Sequence, residues 1–171
     1  MTPDEQAKQG KSAGRPLGPI GEAVRSNIKS IREGQGLSQA ELSANLTNLG
    51  RPIPPLGIHR IEAGTRRVDV DDLVALAVAL TTTPATLLMP NIGSVQPDEQ
   101  VQLGEVPPTV SARRAWRWIT ARDRINNVRL TAFIGRSWPG WEQDEYWDRI
   151  GGDLQDQLWP EPEGDSGGND Q

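Results

Sequence analysis

Leu37-Ser38-Gln39-Ala40-Glu41-Leu42, then Gly50, then Ile58-His59-Arg60-Ile61-Glu62-Ala63-Gly64 is the stretch that decides the fold of this 171-residue chain. Ser38 is a strong helix N-cap, Glu41 completes a capping box with it, and Leu37 and Leu42 occupy the two hydrophobic-staple positions. Leu42, Leu46 and Leu49 recur at helical spacing and are expected to form the buried stripe, which Gly50 stops. Arg51-Pro52-Ile53 leads to Pro54 and Pro55. Two prolines suit the first turn of a helix, where the backbone N–H groups have no partner in any case. A short helix is therefore expected over residues 54–63, with Ile58 and Ile61 facing inward and Gly64 just past its end.

Outward from this centre, the periodicities extend the same pattern. Ile20, Val24, Ile28 and Ile31 predict a preceding helix that ends between Arg32 and Gln35, at Gly34 and Gly36. Asp69 caps a further helix carrying Leu73, Val74, Leu76, Ala77 and Leu80. Thr83-Pro84 opens a fifth, with Leu87 and Leu88 buried, and Pro90 closes it. Five short helices over residues 20–90 make a small all-α domain, and the chain as a whole is mainly α. Residues 1–19 are polar and glycine-containing and read as a disordered arm. Residues 91–110, with Gly93, Pro97, Gly104, Pro107 and Pro108, read as a linker.

Residues 111–159 are expected to form a small tryptophan-rich module, mostly helical. It would have a helix from Ser111 to about Asn126, a short strand over 128–134, a turn at Trp138-Pro139-Gly140-Trp141 and a helix within 142–158. Residues 160–171 read as an acidic disordered tail.

The capped Leu-Ser-Gln-Ala-Glu-Leu helix, the Ile-x-x-Ile-Glu-x-Gly ending and the Asp-capped helix after it resemble the phage-repressor-like helix-turn-helix family, the Cro or xenobiotic-response-element type. The resemblance implies a five-helix lambda-repressor-like domain that binds double-stranded DNA as a homodimer, with the helix over 54–63 in the major groove. By the same resemblance, Gln39 contacts a phosphate oxygen, and Arg32 pairs with Glu62 across the domain. The reading helix departs from the family pattern at Pro54, Pro55 and Leu56, where polar base readers usually stand. Leu56 offers an apolar contact, such as a thymine methyl, which leaves hydrogen-bonded base reading to Arg60, with His59 second. Arg60 suits a bidentate pair with guanine or, nearly as well, a phosphate. Arg51, Arg66 and Arg67 flank the helix and are candidate phosphate contacts, with solvated surface arginines an equal reading. Lys8, Lys11 and Arg15 in the arm could follow a minor groove, though a plain tail is the simpler expectation.

Net charge is −5, but it is distributed in blocks. Between Ile20 and Val68 seven basic residues stand against four acidic ones; from Ser111 to Arg136 seven arginines stand against Asp123 alone. The acidity lies mostly after Ser137. The arginine block is either a second DNA-contacting surface or, more economically, the counterpart of that acidic segment. All six tryptophans lie beyond residue 110, and a small structural core is their simplest use, with a dimerisation surface or ligand pocket as alternatives.

Other chemistry is poorly supplied. The chain has no cysteine and one histidine, and no nucleophile–base set or phosphate-cradling loop can be assembled, so neither catalysis nor a cofactor is expected. A metal site would have to be all carboxylate, and none is expected. No apolar run approaches a membrane span, and the first residues lack the order of a signal peptide, so a cytoplasmic, nucleoid-associated protein without membrane contact is expected. Together these features point to a sequence-specific transcriptional regulator, in the first instance a repressor. The alternative is an antitoxin-like interaction protein whose C-terminal half grips a partner protein while DNA binding serves autoregulation.

Overall fold

The computed structural model describes residues 16–104 and 109–158, with side chains as far as residue 151. The residues expected to form most of the arm, the acidic tail and Trp159 lie outside this range. The described chain divides into two units after Ile125.

In the first unit, five helices follow one another: α1 (Pro19–Gly34), α2 (Gln39–Asn48), α3 (Pro55–Glu62), α4 (Val70–Ala79) and α5 (Pro84–Leu88). Ser38 and Glu41 form the capping box in full: the serine hydroxyl accepts from the Glu41 N–H, and the Glu41 carboxylate accepts from the Ser38 N–H at 2.8 Å. The same exchange holds the Glu41 carboxyl below the usual glutamate range, chiefly through the Ser38 backbone N–H. Asp69 caps α4 by accepting from the Asp72 N–H at 2.7 Å, which holds its carboxyl low as well. Gly50 and Gly64 turn the chain before and after α3 with φ of +77° and +76°, the left-handed region that side chains with a Cβ rarely enter.

These elements close over one apolar core in which Ile28, Leu42, Leu46, Ile58, Ile61, Leu76 and Leu87 are fully buried. Each such side chain contributes roughly 1.5–3 kcal/mol by leaving water. Leu49, expected on the buried stripe, is instead 48% exposed, because α2 ends one residue before it and Leu49 becomes the cap. Leu88 is half-buried at the edge of the core rather than inside it. One buried polar residue joins α1 to α5. Asn27 on α1 is buried, and its side-chain amide donates to the carbonyls of Thr86, Leu87 and Met89, satisfying the open end of the short α5.

The stretch expected as a linker is folded where it is described. Strands β1 (Gln100–Val101) and β2 (Val110–Ser111) pair antiparallel, and α6 (Ala112–Ile119) follows directly. Val101, Ala112, Ala115 and Met89 form a second small core, with Ile92, Val95 and Trp116 packed against it. Its apolar residues are spread singly among glycines and prolines and so show no period in the sequence. The first N–H groups of α6 are taken by the Glu99 and Pro97 carbonyls at 2.8 and 2.9 Å, and Ser111 caps the helix.

The second unit holds α7 (Leu130–Ser137) and α8 (Gly140–Leu158). The expected strand over 128–134 is therefore helical from Leu130 on. Leu130, Phe133 and Ile134 also fit helical spacing, and Ile134 is the one that is buried. The described tryptophans do not gather into one core. Trp116 belongs to the core beside α6, and Trp138 meets Tyr146 edge-on at 5.2 Å. Trp118, Trp141 and Trp147 are exposed.

Candidate nucleic-acid interface

The geometry of α3 begins with its prolines. Pro54 is the N-cap and Pro55 the first helical residue, so the missing N–H groups cost no helix hydrogen bond. Ile58 and Ile61 anchor the inner face, while Leu56, His59 and Arg60 lie on the outer one. Leu56 is 59% exposed. Gly57 sits between the two faces. A Cβ there would stand 2.9 Å from the Ile53 side chain and 2.8 Å from the Arg66 guanidinium, so close packing inside the protein accounts for this helical glycine.

Behind α3 lies a buried ionic cluster. Arg32 Nε donates to Glu62 Oε1 at 2.6 Å and its Nη2 to Oε2 at 3.1 Å, a two-point pair with both side chains less than a tenth exposed. Arg32 also donates to the Leu37 carbonyl, Gln39 Nε2 donates to Glu62 Oε2 at 2.7 Å, and Arg25 donates to the Glu62 backbone carbonyl. The bond to Glu62 is the main reason the Arg32 guanidinium is held more basic than usual. These bonds tie the ends of α1 and α3 and the start of α2 into one network.

A second cluster flanks α3. Asp72, buried in the first turn of α4, accepts from Arg51 Nε on one oxygen and from Arg66 Nη2 on the other, each at 2.8 Å. Arg51 also reaches Asp69 at 3.0 Å and Asp71 at 3.7 Å, and its hydrogen bond to Asp72 raises its basicity. Two of the three flanking arginines thus face three carboxylates. Arg67 donates to the Pro16 carbonyl at 2.8 Å. The side chains of His59 and Arg60, by contrast, have no hydrogen bond or ion pair among the described residues.

Of the expected site residues, the structure brings Leu56, His59 and Arg60 together on one exposed helix face. It joins Arg32, Gln39 and Glu62 in the network behind that face, and draws Arg51 and Arg66 onto Asp72. Sequence reasoning missed the Asp69–Asp72 counter-charges. The signal was present, since three aspartates stand just beyond Val68, where the mildly basic stretch ends. Among the described residues no group of three or more histidine, cysteine or acidic side chains could hold a metal ion, and no helix is long and apolar enough to cross a membrane.

A capped helix, a glycine turn and a second helix pinned across it by a buried ion pair define a helix-turn-helix domain. Residues 28–87 match the family model described as Helix-turn-helix, and this part of the chain belongs to that family, in its phage-repressor-like, Cro-type form. The domain makes the chain a DNA-binding transcriptional regulator. No curated protein and no solved structure matches the chain.

Proposed function

We propose that the chain is a sequence-specific repressor that binds duplex DNA as a homodimer and reads the major groove with α3. The observation that carries this is the outer face of α3, where Arg60 is exposed, without a partner among the described residues, beside an exposed Leu56. Arg60 reads a guanine by a bidentate contact, Leu56 contacts a thymine methyl, and His59 adds a polar contact. Gln39 has a second amide N–H beyond the one given to Glu62, and that donor serves a phosphate. Arg51, Arg66 and Arg67 take a smaller part in phosphate contact, because Asp69, Asp71 and Asp72 together neutralise the first two and the third is turned toward Pro16. Repression and dimerisation follow the resemblance to phage repressors, whose paired half-sites lie about 34 Å apart.

The test is binding to the chain's own upstream DNA and to a mixed-sequence duplex over a salt series. Arg60→Ala is expected to relax preference at one base position, by about 1–3 kcal/mol. Gln39→Ala is expected to weaken all sequences alike. A full-length protein that binds both duplexes equally at every salt concentration would sink the proposal.

The exposed Trp141 and Trp147 on α8 support a second reading, an antitoxin-like protein whose C-terminal unit grips a partner. Exposed tryptophans are frequent anchors of protein interfaces. Stable co-purification with a protein encoded next to it would favour this version.

A further inference from the structure

The helix-turn-helix domain carries no net positive charge. From Pro16 to Pro90 there are seven basic residues (Arg25, Lys29, Arg32, Arg51, Arg60, Arg66, Arg67) and seven acidic ones (Glu22, Glu33, Glu41, Glu62, Asp69, Asp71, Asp72). Arg25, Arg32, Arg51 and Arg66 each bond a carboxylate. Neutralisation of backbone phosphates supplies a large share of protein–DNA affinity, so a domain balanced in this way needs cations from elsewhere.

The first unit has such cations just beyond the helices. On α6, Ala112, Ala115 and Trp116 face the second small core; Arg114 and Arg117 are exposed on the other side beside the exposed Trp118, and Arg113, exposed as well, borders that core next to Met89, Ile92 and Val95. Arg122, also exposed, follows in the next turn. None of these four arginines has a carboxylate partner among the described residues; Arg114 donates to the Ile125 carbonyl at 3.1 Å. From residue 112 to 125 five arginines stand against Asp123 alone. α6 packs on α5 and belongs to the same unit as α3.

We infer that the Arg113–Arg114–Arg117 face of α6 is a second DNA-contacting surface, one that grips the phosphates of the duplex whose bases α3 reads. The inference rests on the DNA-binding function proposed above and divides the labour: α3 chooses the sequence, and α6 supplies sequence-independent attraction. Guanidinium groups suit this role because each offers several donors in a planar fork that matches phosphate oxygens.

The test compares the full chain with a triple variant, Arg113→Gln, Arg114→Gln and Arg117→Gln, on a 30-bp duplex from the chain's own upstream region and a mixed-sequence 30-bp duplex. Removing three phosphate-binding cations should make the plot of log affinity against log salt shallower by about 2–3, and lower affinity at least about tenfold at 0.1 M salt, equally on both duplexes. The preference between the duplexes should stay unchanged. A triple Arg→Lys variant should restore most of the slope; failure to do so would show that charge is not the cause and would overturn the inference. All three side chains are exposed and make no ion pair among the described residues, so thermal melting should fall by no more than the loss of the Arg114 bond to the Ile125 carbonyl in either variant. An unchanged salt slope in the glutamine variant overturns the α6 surface alone, and loss of binding to polyglutamate in that variant would then mark an acidic protein as the occupant. A wild-type chain that binds neither duplex overturns this inference and the DNA reading together.

Discussion

Replacing Arg32 with methionine tests whether the ionic network behind α3 holds that helix in place. The substitution keeps most of the side chain's length but removes the guanidinium that gives Glu62 two hydrogen bonds, at 2.6 and 3.1 Å. Glu62 is 7% exposed, and Gln39 would remain its one side-chain donor among the described residues. Stranding a buried charge in this way costs about 3–5 kcal/mol, a large part of the roughly 5–15 kcal/mol that holds a typical domain folded. The reverse deletion, Glu62→Gln, should cost less, since Arg32 keeps the Leu37 carbonyl and Glu33 as acceptors and the new amide can still accept one bond. The double variant Arg32→Met/Glu62→Leu should recover much of the loss, because an apolar pair of similar volume leaves no uncompensated charge. Urea denaturation followed by far-ultraviolet circular dichroism gives all three values, and the single variant Glu62→Leu closes the cycle that gives their coupling. A loss below about 1 kcal/mol for Arg32→Met, with an unchanged slope on urea, would refute the reasoning, since it would mean that the pair behaves like an exposed one.

Two further outcomes follow from the packing and the caps. Gly57→Ala should lower the urea midpoint although alanine is the better helix former by about 1 kcal/mol, because Ile53 is buried and cannot yield to a methyl at 2.9 Å; overpacking of this kind costs about 1–3 kcal/mol, and a raised midpoint would contradict it. The depressed Glu41 carboxyl gives a pH signature. Its folded value lies below its unfolded one, so its contribution is fully present above the ordinary glutamate pKa of about 4.3 and is lost as pH falls through the lowered value. The stability gap between wild type and Glu41→Gln should accordingly close in acid, and a gap that stays constant from neutral pH down to about 2 would count against the capping box.

Much of the first unit was legible because its signals are local. Ser38, Glu41 and Asp69 announce helix starts through bonds spanning three residues, and Gly50 and Gly64 announce helix ends through backbone geometry. Ile28, Leu42, Leu46, Ile58 and Ile61 follow the helical period that places them inside. What could not be read was tertiary or aperiodic. Asn27 is an ordinary polar residue in sequence, and only the fold brings its amide to three carbonyls about 60 positions away. The β1–β2 pair consists of two-residue strands without alternation, so nothing marked residues 91–110 as folded. Leu130, Phe133 and Ile134 satisfy strand and helix patterns alike over so short a run. At the candidate site, exposure of Leu56, His59 and Arg60 was readable from the inward positions of Ile58 and Ile61. The engagement of Arg51 and Arg66 depended on where Asp72 points, which no spacing rule conveys.

That shared aspartate has a mechanical consequence. Arg51 leaves the chain before α3 and Arg66 after it, and both draw on one carboxylate rooted in α4. Besides the core contacts of Ile58 and Ile61 and the Arg32–Glu62 network, the two flanks of α3 are thus joined through one carboxylate, and slackening at either flank is felt at the other without passing along the helix between them. Loss of the Asp72 carboxylate should then free both flanks of α3 together, rather than one at a time.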